Sequence, residues 1–153
     1  MMNALDSLLN PKRVMCQVEA ASRKRIFELV AQQVAEDADL TEDLIYAQLF
    51  AREKLGSTAL GAGVAVPHCR VAGCEQPLGC LVTLAHGVDF DAPDGREVDL
   101  LFVLLVPEEA TQTHLDLLAE IARRFSNDQY CAQLRRAEST GQLLAAATQR
   151  LVA

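Results

Sequence analysis

The spacing of apolar residues changes character along the chain, and each change predicts an element. After Ser22, a good N-cap, Ile26, Leu29, Val30 and Val34 form one stripe and predict a helix to about residue 36. Glu42 and Asp43 suit a first helical turn. A second helix is therefore expected from Thr41 to near Arg52-Glu53, with Leu44, Ala47 and Phe50 facing inward. The stretch Gly56-Ser57-Thr58-Ala59-Leu60-Gly61-Ala62-Gly63 is too rich in glycine for a helix interior. Val64-Ala65-Val66 then predicts a short buried strand that stops at Pro67-His68.

Two longer apolar runs follow, 78–84 and 98–106. The second is apolar at nearly every position, as a central strand covered on both faces would be, and Pro107 closes it. Between them, Asp89-Phe90-Asp91 and the pair Asp94-Gly95 signal a chain reversal. Thr111 opens a third helix carrying Leu115, Leu118, Ala119, Ala122 and Phe125 on one side. From about Asn127 the tail reads as two helices separated near Ser139-Thr140-Gly141. Helices alternating with buried strands predict one α/β domain over residues 1–153. Its expected form is an α/β/α sandwich, a mixed, mostly buried sheet of about five strands flanked by helices on both faces.

Composition supports a folded globular chain: 153 residues, half of them apolar, allow one sizeable core. The formal net charge is −7, and the basic residues are scattered apart from Arg23-Lys24-Arg25, Arg123-Arg124 and Arg135-Arg136. These short groups read as solvated helix faces, so no nucleic-acid partner is expected. The opening Met-Met-Asn-Ala-Leu-Asp-Ser-Leu-Leu-Asn-Pro-Lys-Arg has no basic start followed by an apolar run, so no secretory signal is expected. The longest apolar block, 100–106, is far short of a membrane span, and a soluble cytoplasmic protein is the expectation. Five cysteines (Cys16, Cys69, Cys74, Cys80, Cys131) are odd in number and irregular in spacing, which fits free thiols better than a disulfide framework.

The candidate chemistry rests on His68, His86 and His114. His68 follows a proline that fixes its own φ and holds Val66 extended, so the direction in which the chain enters His68 is set. Backbone N–H groups in the glycine-containing segment before it could form an anion-binding concavity. A neutral imidazole is a good nucleophile near neutral pH, the free side chain titrating near about 6.5. Local sequence still leaves a second reading, a polar residue ending a strand. His114, in the first turn of its helix, sits where free N–H groups and the helix dipole favour anions, or is an ordinary exposed residue. His86 is a strand-end turn residue with no assigned role. His68, Cys69, Cys74, Cys80 and His114 could also supply soft ligands to zinc, although Cys-x4-Cys-x5-Cys lacks the tight pairs of common zinc modules.

The run from Arg52-Glu53-Lys54-Leu55-Gly56-Ser57-Thr58 through Val64-Ala65-Val66-Pro67-His68-Cys69 resembles the active-site signature of the mannitol/fructose-type (type 2) enzyme IIA domains of the bacterial phosphotransferase system. Glu53, Leu60, Gly61, Val64, Ala65, Val66, Pro67, His68 and Cys69 all fit it. Phe90-Asp91-Ala92, the strand ending at Val106-Pro107, and Thr113-His114-Leu115 extend the likeness over essentially the whole chain. Within the family, the wording from Arg52 to Thr58 and the length are most similar to the nitrogen-regulatory branch.

The resemblance implies a phosphohistidine carrier rather than an enzyme turning over a small molecule. His68 would accept a phosphoryl group on Nε2 from phosphorylated HPr or its nitrogen-branch counterpart. His114 would support the phosphoryl group, and Arg52 would stabilise its charge or else salt-bridge at the helix end. No cofactor and no metal is implied. Downstream, the branch likeness implies regulation through the phosphorylation state, with regulatory or transport proteins as partners. The alternative is a sugar-transport enzyme IIA passing phosphate to a IIB domain of a fructose/mannitol-type permease. Cys69, where the family often has glycine, is either a tolerated small residue or a redox handle.

Overall fold

The computed structural model describes residues 4–109 and 112–148. A short α1 (Ala4–Leu8) and a 3-10 turn (Pro11–Arg13) lead into β1 (Val14–Val18), an edge strand absent from the sequence expectation. Next come α2 (Arg23–Ala38), α3 (Glu42–Leu55), β2 (Ala59–Gly61), β3 (Val64–Ala65), β4 (His68–Val71), β5 (Leu78–Val88) and β6 (Val98–Pro107). Three helices close the chain: α4 (Gln112–Phe125), α5 (Asp128–Arg136) and α6 (Thr140–Thr148). The expected cap at Thr111 lies outside the described residues.

The sheet has six strands in the order β1-β5-β6-β3-β2, with β4 also on β6. It is mixed: β5 and β6 are antiparallel, whereas β1 runs parallel to β5 and both β3 and β4 run parallel to β6. Strand β6 is central, as its unbroken apolar run requires. Leu101, Val103 and Leu105 enter the core under α2 and α3, while Leu100, Phe102 and Leu104 enter the core under α1, α4, α5 and α6. The expected α/β/α sandwich is therefore the architecture, with one more strand than anticipated.

Two helix faces differ from the expectation. Helix α2 starts where Ser22 predicted, with the Ser22 hydroxyl accepting from Arg25 N at 3.1 Å, but Phe27 and Ala31 complete its buried stripe and Leu29 is only half-buried. In α3 the inward residues are Ile45, Leu49 and Glu53, whereas Leu44 and Ala47 are exposed. That helix has apolar residues all round, so periodicity alone does not choose its face. In α4 the buried residues are Ile121 and Phe125, while Leu115 and Ala119 are exposed. The last break falls at residues 137–139, two residues earlier than predicted.

The strand at Val64-Ala65-Val66 does not stop at His68. Val64, Ala65, His68, Cys69, Arg70 and Val71 pair with Leu100, Leu101, Leu104, Leu105, Val106 and Pro107 in one register. Strands β3 and β4 are thus a single line interrupted at Val66-Pro67. Proline has no N–H to give to a ladder, and it is tolerated here because this stretch lies at a sheet edge, β2 covering β3 but not β4.

A buried ion pair ties the start of the sheet to the end of α2. Arg13 donates to Asp37, to Gly79 O at 3.0 Å and to Leu8 O at 2.8 Å, and Asn10 donates to Asp37 at 3.2 Å. Burial opposes the Asp37 charge, but the hydrogen bonds from Asn10 and Arg13 and the guanidinium charge outweigh it and hold the carboxyl below its ordinary 3.8. A depressed pKa contributes stability above 3.8 that is lost as pH falls through the lower folded value. The Asp37→Asn protein is expected to lose about 1–3 kcal/mol in urea unfolding at pH 7, less than a fully enclosed pair because the groove beside it is open to solvent. Its stability should also fall less than that of the unaltered protein between pH 5 and pH 3 (approximate limits from the ordinary carboxyl range).

Candidate functional site

His68 opens β4 at the point where the ladder is interrupted. The interruption leaves the Val66 carbonyl to accept from His68 Nδ1 at 2.8 Å, while Pro67 O accepts from Leu104 N at 2.9 Å and returns the chain to the sheet. A carbonyl can only accept, so Nδ1 carries the proton and the Nε2 lone pair is left for chemistry. The ring is half-buried.

Two clefts meet at His68. One, of about 370 Å³, is lined by Arg52, Leu60 and Val66 together with Leu115, Leu118 and Ala122 of α4. The other is lined by Gln48, Ala51, Arg52 and Leu55 of α3 together with Cys69 and Arg70 of β4. Arg52 therefore borders His68 on both sides. Its Nη1 donates to Gly56 O at 2.9 Å, and among the described ion pairs none involves it, so the helix-end salt bridge is not its arrangement. Its remaining guanidinium N–H groups stay available on the cleft side. His114 is half-buried on α4, one turn before Leu118 of the same cleft.

Four features of this region were not legible as function. Arg70 shares the His68 cleft with Cys69, the three consecutive residues lining it along the sheet edge. Three large apolar side chains around the histidine stay in solvent, Leu55 at 85%, Leu60 at 45% and Leu115 at 58% exposure. Glu53, a signature residue, is buried and accepts from Thr58 N at 3.2 Å and Thr58 Oγ1 at 2.7 Å. Lastly, the glycines do not cradle an anion at His68. Ala62 and Gly63 form the turn between β2 and β3, both with positive φ, as tight hairpin turns need. A Cβ on Gly63 would lie 2.8 Å from Arg135 Nη2 and 3.2 Å from an Asp99 carboxylate oxygen. That turn is about 17 Å along the strand from His68, five residues at roughly 3.3 Å each.

The zinc reading loses its ligand set for a steric reason. His68 and Cys69 are consecutive in a strand, so their side chains diverge; Cys74 and Cys80 belong to the core under α2 and α3, and Cys69 packs against that core while bordering the cleft beside α3. Among the described residues no three His, Cys, Asp or Glu side chains converge as metal ligands would. Burial, reinforced by the charge of Cys74, pushes the Cys69 thiol up to about 12. Buried Cys80 is likewise pushed up to about 12. Neither has thiolate character at neutral pH.

Residues 7–149 match the family model of the phosphoenolpyruvate-dependent sugar phosphotransferase system, EIIA 2. The chain belongs to that EIIA family. Among its relatives, the nitrogen regulatory protein of Pseudomonas aeruginosa is 50% identical over 119 residues, 77% of each chain. The crystal structure of nitrogen regulatory protein IIA-Ntr from Neisseria meningitidis superposes with a TM-score of 0.88 at 39% identity, covering 95% of this chain and all of that one. The mannitol enzyme IIA of Escherichia coli, in complex with phosphorylated enzyme IIB, shares the fold at a TM-score of 0.76 and 16% identity, over 93% of this chain and 98% of its own.

The Cys69 thiol gives a direct check on the local structure. At pH 8 native Cys69 should react with iodoacetamide on the order of a hundredfold more slowly than a free thiol, and at the ordinary rate once unfolded, as peptide mapping would show.

Proposed function

We propose that this chain is a phosphoryl carrier whose Nε2 of His68 takes a phosphoryl group from the phosphohistidine of an HPr-like carrier. The observation that carries this reading is the Val66 carbonyl held at 2.8 Å from His68 Nδ1 beside Arg52. With the proton on Nδ1, the Nε2 lone pair attacks phosphorus. The new N–P bond forms as the donor's N–P bond breaks, and that bond's electron pair returns to the donor imidazole. The positive charge left on the His68 ring is shared with the Val66 carbonyl. Arg52 supplies counter-charge to the phosphoryl oxygens, and His114 on α4 supports the group once it is in place.

The apolar rim of Leu55, Leu60 and Leu115 suits a protein donor better than a small molecule, since exposed apolar side chains grouped around a site mark a protein interface. Likeness to nitrogen regulatory proteins supports a regulatory output, in which added charge on His68 changes docking to regulatory or transport proteins. Partners of this kind place the protein in the cytoplasm; no helix among the described residues is long and apolar enough to cross a membrane.

His68→Ala should abolish uptake of acid-labile phosphate from the phosphorylated carrier while the fold is kept. Arg52→Ala should slow uptake by about a hundredfold, the usual effect of removing one charge-stabilising donor. His114→Ala should still accept phosphate but release or transfer it abnormally. Normal uptake by His68→Ala would overturn the assignment, and rapid sugar-dependent loss of phosphate through a IIB domain would favour transport over regulation.

A further inference from the structure

The signature carboxylate, Glu53, has no direct contact with His68, yet a chain of hydrogen bonds joins them. Glu53 is on α3, 7% exposed, and its two oxygens accept from the Thr58 backbone N–H and hydroxyl. Arg23 of α2 approaches the same carboxylate at 3.4 Å. Thr58, itself buried, uses its carbonyl to accept from Val66 N at 3.0 Å. The Val66 carbonyl then accepts from His68 Nδ1. Val66 is thus held at both polar ends where the ladder is interrupted, by Thr58 on one side and by the histidine on the other.

Burying a carboxylate is an inefficient way to stabilise a protein, because its desolvation offsets most of what its partners return. Here the charge is used on one short segment. Neighbouring Ser57 is fastened as well, its hydroxyl donating to Phe90 O at 2.5 Å and accepting from Ala59 N at 3.1 Å. What these bonds hold in common is the path of residues 57–59, and that path determines where the Val66 peptide stands. A free neutral imidazole in water favours the Nε2–H form, the wrong one for attack through Nε2. The local carbonyl must reverse that preference, and it can do so only while it is held in place.

We infer that Glu53 is a positioning residue that, through Thr58 and Val66, sets the orientation and the Nδ1–H tautomer of His68. This rests on the reading of His68 as phosphoryl acceptor. Glu53 touches neither phosphate nor donor, and its effect reaches the reaction as ground-state geometry.

The test compares the unaltered full-length protein with Glu53→Gln, Thr58→Val and Thr58→Ser, using two readouts. One is the His68 tautomer from long-range proton–nitrogen NMR of the unphosphorylated protein. The other is the rate of phosphoryl uptake from the phosphorylated carrier. Gln offers a single acceptor oxygen where Glu offers two. Glu53→Gln should therefore shift His68 toward Nε2–H and slow uptake by about tenfold to a hundredfold. Thr58→Val should move both readouts in the same direction by less, and Thr58→Ser, which restores the hydroxyl, should return them. A purely structural Glu53 would lower thermal stability and leave the tautomer alone. Uptake and tautomer must move together: either moving alone, or neither moving, overturns the inference. If Glu53→Gln does not fold, the Thr58 pair decides by the same criterion. If the unaltered protein takes up no phosphate, the acceptor reading falls instead, and the tautomer shift decides the relay by itself.

Discussion

Strand β6 must be covered on both faces, and the layout of the molecule answers that requirement. Two helices close one face of the sheet and four close the other, and β5 and the β3–β4 line flank the strand on its two edges. Because the β3–β4 line runs parallel to β6, its side chains alternate between the two helical layers in step with those of β6. His68 borders the α4 side as well as α3, Cys69 and Arg70 border the cleft against α3, and Val71 enters the core under α2 and α3. A reactive side chain in the middle of such a sheet would be sealed from any partner. It is accessible because β4 lies at the edge, with no strand beyond it.

Proline 67 converts that edge into a site. It removes one donor from the ladder, and the peptide carbonyl before it is used by the imidazole two residues on. A backbone irregularity thereby sets the protonation pattern of a side chain, without any carboxylate placed against the ring. The imidazole then meets an arginine from α3 and an apolar surface from α3, β2 and α4, so the cation and the apolar rim beside it come from elements far apart in sequence.

Much of this was legible from the chain. The near-continuous apolar run at 98–106 announced a central strand, Ser22 and Asn127 announced helix starts, and Pro67-His68 within its signature marked the histidine at which two clefts meet. What could not be read depended on tertiary choice. Helix α3 offers Leu44 and Ala47 on one side and Ile45 and Leu49 on another, and only the packing of α2 and the sheet decides between them. Leu55, Leu60 and Leu115 look like core residues in sequence, and their exposure is a property of the assembled surface. The glycines before His68 looked like a phosphate cradle because glycine serves both purposes. Here Gly61 and Gly63 turn a hairpin, Gly61 against the Asp94 carboxylate and Gly63 against the Arg135–Asp99 ion pair. Pro67 read as the end of a strand, because its tolerance inside one depends on an edge position that sequence does not reveal.

The single register shared by β3 and β4 against β6 also limits how this segment can vary in length. Between the α3 carboxylate and the histidine, the chain acts as a ruler fixed at both ends. Slipping β4 by one residue would turn the imidazole toward the core under α2 and α3 and put Cys69 at the register position that His68 holds opposite Leu104. Side chains on this segment can be exchanged wherever they leave its length unchanged. An insertion or deletion there would put a thiol where the imidazole stands in an otherwise intact sheet, whereas the loop at residues 89–97 has no such alternation to preserve.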